Sequence, residues 1–170
     1  CVLLEGAPAD EMAAVLEAAS RMGASCWTTE EGICIQSSGC PKAVERLTTL
    51  PYPGFPTDLQ SAALTVLTAA EGRSIVEESI FENRFRVAQE LNRMGACVEQ
   101  LDAHTVVVQG AKQLRGAEVE ARELRGGAAL VIAGLMAQGE TVVTGCPYIY
   151  RGYENICRDF RELGARVTSV

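Results

Sequence analysis

The chain repeats itself at a spacing of about seventy residues, and this restricts its fold more than any figure of composition. MAAVLEAASRMGASCWTTEEGICIQ from Met12, VAQELNRMGACVEQLDAHTVVVQG from Val87 and ICRDFRELGARVTSV from Ile156 share one plan. Each is an amphipathic helix that stops at Met-Gly-Ala or Leu-Gly-Ala and runs into a strand. The stop glycines Gly23, Gly95 and Gly164 lie 72 and 69 residues apart, and glycine just past a helix is the usual left-handed cap. A second repeat is interleaved with the first. A helix ending at Gly72 precedes RSIVEE, and one ending at Gly139 precedes ETVVTG. Together they predict α/β units of βαβαββ type, with a partial unit over about 1–50, a complete one over about 51–121 and a partial one over about 122–170. A unit this small cannot close a core alone, so neighbours must pack on one another.

The two helices of the second repeat carry almost no charge. From Leu59 the pattern Leu59, Ala62, Ala63, Val66, Leu67, Ala70 is helical, and the opposite face holds only Ser61, Leu64, Thr65, Thr68 and Ala69. RGGAALVIAGLMAQ, Arg125 to Gln138, is likewise uncharged between its ends. Helices without a polar face are buried ones. The expected architecture alternates such helices with amphipathic ones. Around them lie a hairpin from Ser25–Thr28 to Ile33–Gln36, strands at Arg73–Glu77, Thr105–Gln109 and Glu140–Thr144, a helix over Tyr153–Leu163, and a last strand from Arg166. Trp27 reads as a core or interface anchor and His104 as a solvated turn residue.

The first buried helix has a marked entrance. Pro51, Pro53, Gly54 and Pro56 stiffen the loop before it, and Thr57-Asp58-Leu59-Gln60 fits a capping box with Thr57 as N-cap. Asp58 then stands in the first turn, where the helix dipole favours an anion. A stiff loop can hold a ligand-facing carboxylate at small entropic cost; an acid here also stabilises a helix start with no ligand involved. Arg84, Arg125 and Arg151 stand at or just before predicted helix starts, which suits them to an anionic ligand. Each also has an acid beside it in sequence, Glu82, Glu123 and Glu154, so local pairing explains them equally well.

Net charge is −7, which argues against a nucleic-acid or anionic-membrane surface while leaving room for a small anionic ligand. No apolar run approaches the roughly 20 residues that span a bilayer. Seven cysteines form no CxxC and find one histidine, His104, in the whole chain. They fit structural thiols in a reducing cytoplasm better than a disulfide or metal scaffold. The chain opens at Cys1 within a predicted strand and is expected to be a piece of a longer protein, with exposed strand edges where the remainder belongs.

PYPGFPTDLQ, IFENRF, ELRGGAALVIAGL and YRGYE, in this order and spacing, resemble the second lobe of the UDP-N-acetylglucosamine enolpyruvyl transferases, over nearly the whole chain. The resemblance implies an inside-out α/β barrel lobe of three units, with buried helices in the middle and sheets outside. It implies transfer of the enolpyruvyl group of phosphoenolpyruvate to the 3-hydroxyl of UDP-N-acetylglucosamine, in peptidoglycan precursor synthesis. No metal and no cofactor is required. By the same resemblance Asp58 is the base that contacts the sugar hydroxyl, and Ile80 and Phe81 hold the nucleotide sugar, mainly through backbone. Arg125 and Arg151 face phosphoenolpyruvate. Glu123 and Arg151 are, by the same resemblance, further catalytic candidates beside Asp58; Glu123 falls where the family more often has aspartate, and its extra methylene would move the carboxylate by about 1.5 Å. Arg84 and Asn83 match the motif without an assigned step. The family's Lys-Asn pair and its mobile cysteine loop belong to a first lobe that this chain does not contain. The chain by itself is therefore expected to be inert. Two other readings remain: the sister enzyme that acts on shikimate 3-phosphate, and a non-catalytic module that binds a nucleotide sugar.

Overall fold

The computed structural model describes residues 1–110 and 113–169. Three sheets carry the repeat. The central one is built from β4 (Arg46–Thr48), β5 (Arg73–Glu77), β6 (Val98–Gln100) and β7 (Thr105–Gln109), in the order β4-β5-β7-β6. β4 runs parallel to β5, β5 antiparallel to β7, and β6 antiparallel to β7. Before it, β1 (Val2–Glu5), β2 (Ser25–Thr28) and β3 (Gly32–Gln36) form an antiparallel sheet in the order β1-β3-β2, matching the β5-β7-β6 part. After it, β8 (Glu118–Glu120) pairs in parallel with β9 (Val142–Thr144), matching β4 and β5.

The helices obey the same period. α1 (Ala13–Arg21), α3 (Val87–Arg93) and α6 (Ile156–Glu162) are the amphipathic set. All three end in one backbone device. Ala24, Ala96 and Ala165 donate N–H to carbonyls five residues back, on Ala19, Leu91 and Phe160, at 3.0, 3.0 and 2.9 Å. The glycine before each takes φ of 97°, 93° and 91°, which a residue with a Cβ adopts only at a cost. The joints between units repeat too: Lys42 N–H reaches Met22 O, and Arg115 N–H reaches Met94 O, both at 2.8 Å.

α2 (Gln60–Thr68) and α4 (Leu124–Met136) are the pair with almost no charge, Arg125 in the first turn of α4 being their one charged residue, and they pack on each other. Leu64, Leu67, Ala129, Leu130 and Ala133 meet there, with Val76, Leu91 and Val106 from the flanking strands and helix. The expectation of a helix buried on every side holds only in part: Ser61, Ala63, Leu64, Thr65, Leu67 and Thr68 are enclosed, whereas Ala62, Val66 and the flanking Ala69 keep partial exposure and Leu59, just before the helix, is exposed. Thr65 and Thr68 can be buried because their hydroxyls bond back to the carbonyls of Ser61 and Thr65, at 3.0 and 2.7 Å.

Three local expectations fail. The capping box does not form: Thr57 to Leu59 is a single 3-10 turn and α2 starts after it, with no side-chain cap. The Thr57 hydroxyl has a stronger acceptor, described below. A short helix, α5 (Pro147–Tyr150), lies where a loop was expected, and α6 begins three residues later than predicted. Residues 166–169 form no strand, since no neighbouring strand among the described residues offers a ladder to join. Trp27 is exposed on β2. No helix among the described residues is long and apolar enough to cross a membrane.

Candidate functional site

Asp58 occupies the 3-10 turn that leads into α2, and its side chain is 64% exposed. Its Oδ1 accepts from Nε of Arg125 in the first turn of α4, 67 residues away. The contact exists because α2 and α4 are packed side by side with their N-terminal ends on the same side. Glu123 precedes α4 as its N-cap, in extended backbone with φ −160°. Its carboxylate accepts from the backbone N–H of Arg125 at 2.9 Å and from that of Gly126. Two of the N–H groups that a helix start would offer an anion are thus already taken. The extra methylene of Glu123 has a visible counterpart: a Cβ on Gly126 would collide with Glu123 Oε1.

Among the described residues, none of the three arginines pairs with the acid beside it in sequence, and Arg151 departs from the expected placement. Arg125 stands at a helix start. Arg84 lies in the turn before α3, its guanidinium 4.6 Å from the centroid of the Phe81 ring, a cation–π distance. Arg151 is the C-cap of α5 rather than a helix opening. Among the described residues it makes no ion pair. It approaches the α4 start through its neighbour Gly152, where a Cβ would sit 2.8 Å from the Leu124 methyls. The structure therefore joins Asp58, Arg125 and Glu123 directly, and brings the Arg151 segment against the same end of α4.

Ile80 and Phe81 reach Asp58 by a residue that the sequence reading passed over. Glu78 follows β5 with 0% exposure. Its Oε2 accepts from the Thr57 hydroxyl at 2.7 Å. Its Oε1 accepts from the Thr49 hydroxyl at 2.8 Å and from the N–H groups of Ile80 and Phe81 at 2.9 and 3.2 Å. The Thr49 hydroxyl in turn accepts from Ser79 N–H at 3.0 Å. Nδ1 of His104 lies 2.9 Å from Glu78 O and donates to it, while Glu78 N–H donates to His104 O at 2.8 Å; His104 is thus tied to the network rather than merely solvated. Burial pushes the Glu78 carboxyl up, but hydrogen bonds from Thr57, Ile80, Thr49 and Phe81 outweigh it and hold the group below the ordinary glutamate range. The signal was present in the alternation of β5, which points Ser74, Val76 and Glu78 to the same inner face.

All seven cysteines are free. A hollow of about 720 Å³ lies away from Asp58, between α4, β9, α5 and residues 166–169.

A family model described as EPSP synthase (3-phosphoshikimate 1-carboxyvinyltransferase) matches residues 1–160. UDP-N-acetylglucosamine 1-carboxyvinyltransferase 2 of Caldanaerobacter subterraneus subsp. tengcongensis is 47% identical over 148 residues, covering 87% of this chain and 35% of that protein. UDP-N-acetylglucosamine 1-carboxyvinyltransferase of Xanthobacter autotrophicus is 42% identical over 169 residues, 99% of this chain and 39% of that protein. Among solved structures, the enolpyruvyl transferase NikO from Streptomyces tendae superposes with a TM-score of 0.81 at 25% identity, over 91% of this chain and 36% of that one. The chain spans between a third and two fifths of the length of these relatives.

Proposed function

The chain belongs to the EPSP synthase (3-phosphoshikimate 1-carboxyvinyltransferase) family, and from that premise we propose that it forms one substrate wall of a UDP-N-acetylglucosamine enolpyruvyl transferase of peptidoglycan precursor synthesis. The observation that carries the proposal is the Asp58–Arg125 contact, which sets a carboxylate against a cation at one end of the two buried helices. In this reading Asp58 takes the proton of the sugar 3-hydroxyl as that oxygen bonds to the phosphate-bearing carbon of phosphoenolpyruvate. The methylene carbon gains a proton from a donor. In the second half, phosphate leaves and the methyl carbon gives a proton back, which restores the double bond.

Arg125 and Arg151 face the carboxylate and phosphate of phosphoenolpyruvate. Arg125 has a second use. While it holds Asp58, one carboxylate oxygen is occupied; an incoming anion that draws the guanidinium away leaves that oxygen open to the sugar hydroxyl. Substrate arrival and base activation are thereby one event. Glu123 fixes the start of α4 and so the base of the Arg125 side chain. Ile80 and Phe81 line the nucleotide-sugar side.

The partial, complete and partial units are three members of an inside-out α/β barrel lobe, with α2 and α4 as two of its central helices. The opposite wall comes from a first lobe, which supplies the proton donor and excludes water. The chain without that lobe is inert. Phosphoenolpyruvate and the nucleotide sugar bind with no metal or cofactor, and the seven thiols suit a cytoplasmic setting.

The nucleotide-sugar substrate is favoured over shikimate 3-phosphate because the relatives so named are 42 and 47% identical, whereas an EPSP synthase from Acinetobacter baumannii is 23% identical. The test is Asp58→Asn in the enzyme that carries this chain, read as phosphate release from phosphoenolpyruvate. The general-base role predicts a loss of about 100-fold or more in turnover, with nucleotide-sugar affinity changed severalfold at most. A wild-type enzyme that turns over with shikimate 3-phosphate alone would move the substrate to the sister reaction. One that binds the nucleotide sugar without turnover would make the chain a binding module.

A further inference from the structure

We propose that Glu78 is a positioning residue for the nucleotide-sugar side of the site: one of its carboxylate oxygens holds the residue before Asp58, and the other holds the Ile80–Phe81 backbone. The inference rests on the reading above, because it assigns a cause to the shape of the wall that the reading uses.

Four donors converge on Glu78, two hydroxyls and two backbone amides, and none is charged. Among the described residues no cation pairs with it. A buried carboxylate without a counter-charge is expensive to keep. A neutral amide could not replace it. Glutamine has one acceptor oxygen and would turn its NH2 group toward donors, whereas a carboxylate accepts at both oxygens. The donors come from three separate stretches: the end of β4, the turn before α2 and the loop after β5. The carboxylate therefore fixes the distance between Asp58 and the Ile80–Phe81 loop as a single clamp. It also diverts Thr57 from capping α2, so a local helix signal is given up for a contact 21 residues away.

The clamp has a consequence for recognition. With both N–H groups engaged, the Ile80–Phe81 backbone has only carbonyl oxygens left for a ligand. Those oxygens accept from hydroxyl or amide N–H groups, both of which an N-acetylated sugar carries. Loss of the clamp should loosen the sugar side of the site and leave the anion side, built on α4, in place.

The experiment compares wild type with Glu78→Gln, Thr57→Val and Thr57→Ser in the enzyme that carries this chain, by steady-state phosphate release and by amide hydrogen exchange at Ile80 and Phe81. Glu78→Gln should raise KM for UDP-N-acetylglucosamine by about tenfold, as weakening of charge-assisted hydrogen bonds implies. KM for phosphoenolpyruvate should stay within about twofold, and exchange at the two amides should quicken. Thr57→Val, a milder change, should give the same split with a smaller amplitude, and Thr57→Ser should restore it. Equal movement of both KM values in folded variants, or unchanged exchange at Ile80 and Phe81, overturns the proposal. A wild-type enzyme inactive on the substrate pair overturns the functional reading instead, while the exchange data still decide whether Glu78 is the clamp.

Discussion

Glu78 carries a charge at 0% exposure with no cation paired to it among the described residues, so its ionisation is coupled to folding. In the folded chain its carboxyl titrates below the ordinary glutamate value of about 4.3; in the unfolded chain it titrates near that value. The unfolded state therefore takes up the proton first as pH falls. The stability contributed by the clamp is complete above the unfolded value and is lost as pH drops through the folded one. A thermal melt series from pH 7 to pH 3 should show Tm falling below about pH 4.5, with a shallower fall in Glu78→Gln. An equal slope in the two proteins would place the acid sensitivity elsewhere. At this scale the sequence was read unevenly. Asp58, Arg125 and Glu123 were legible because their motifs are ordered along the chain, and the structure brings these three together. The alternation of β5 marked Glu78 as inward-facing, but its role was not legible, because four donors from Thr49, Thr57, Ile80 and Phe81 converge on it only after three stretches have folded. Thr57 was misread for the same reason: a capping box is a local pattern, and a buried carboxylate competes for its hydroxyl from outside that pattern.

The start of α4 is an element whose residues were chosen together. Glu123 reaches over the first turn to take the N–H groups of Arg125 and Gly126, and the space its carboxylate needs is the space a Cβ at 126 would fill. Gly126→Ala should therefore cost more than an alanine in a helix normally would, since alanine is otherwise the better helix former. Loss of the cap contributes about 1 kcal/mol, visible in chemical denaturation. Glu123→Asp shortens the acid and should relieve the collision, so the double variant should recover part of that loss. A double-mutant cycle with no coupling between the two positions would show that the glycine is there for another reason. The helix ends make a cleaner case. Gly95 has φ 93°, and a Cβ there would meet nothing nearer than Gln113 O at 4.0 Å. Gly95→Ala should thus register backbone strain alone, about 1–2 kcal/mol, with turnover per folded molecule unchanged. Elements of this kind were well marked in the sequence: β5 and β7 fall at the expected residues, and all three Met-Gly-Ala or Leu-Gly-Ala stops cap helices. α5 was not marked, because four residues give no periodicity to read. Its presence moves Arg151 from a helix start to a helix end.

The whole molecule is a stack of repeats with apolar surface left over at its margins. α2 keeps Leu59, Ala62, Val66 and Ala69 only partly covered along one line, and Leu135 of α4 is exposed. β9 has β8 on one side and no strand on the other among the described residues, with Val142 47% exposed. The repeat explains why both margins look alike. β1-β3-β2 has the pattern of the central sheet without a counterpart to β4, and β8-β9 has it without counterparts to β6 and β7. The curated relatives, more than twice as long as the matched stretch, have room for such counterparts and for a second lobe. The site shows the same one-sidedness: Asp58 is exposed, and in the role proposed for it a base open to solvent would exchange its proton with water instead of relaying it to a substrate. From this the 170-residue chain on its own should release no phosphate from phosphoenolpyruvate and UDP-N-acetylglucosamine above the buffer blank. Adding the remainder of the enzyme as a separate polypeptide should restore turnover, and Asp58→Asn in this chain should abolish the restoration. Restored turnover that ignores Asp58 would mean that the added polypeptide carries its own base, and that the wall described here only binds. Turnover by the chain alone would mean that Asp58, Arg125 and Arg151 need no second wall, so that the proton donor must then be sought among the residues on this one.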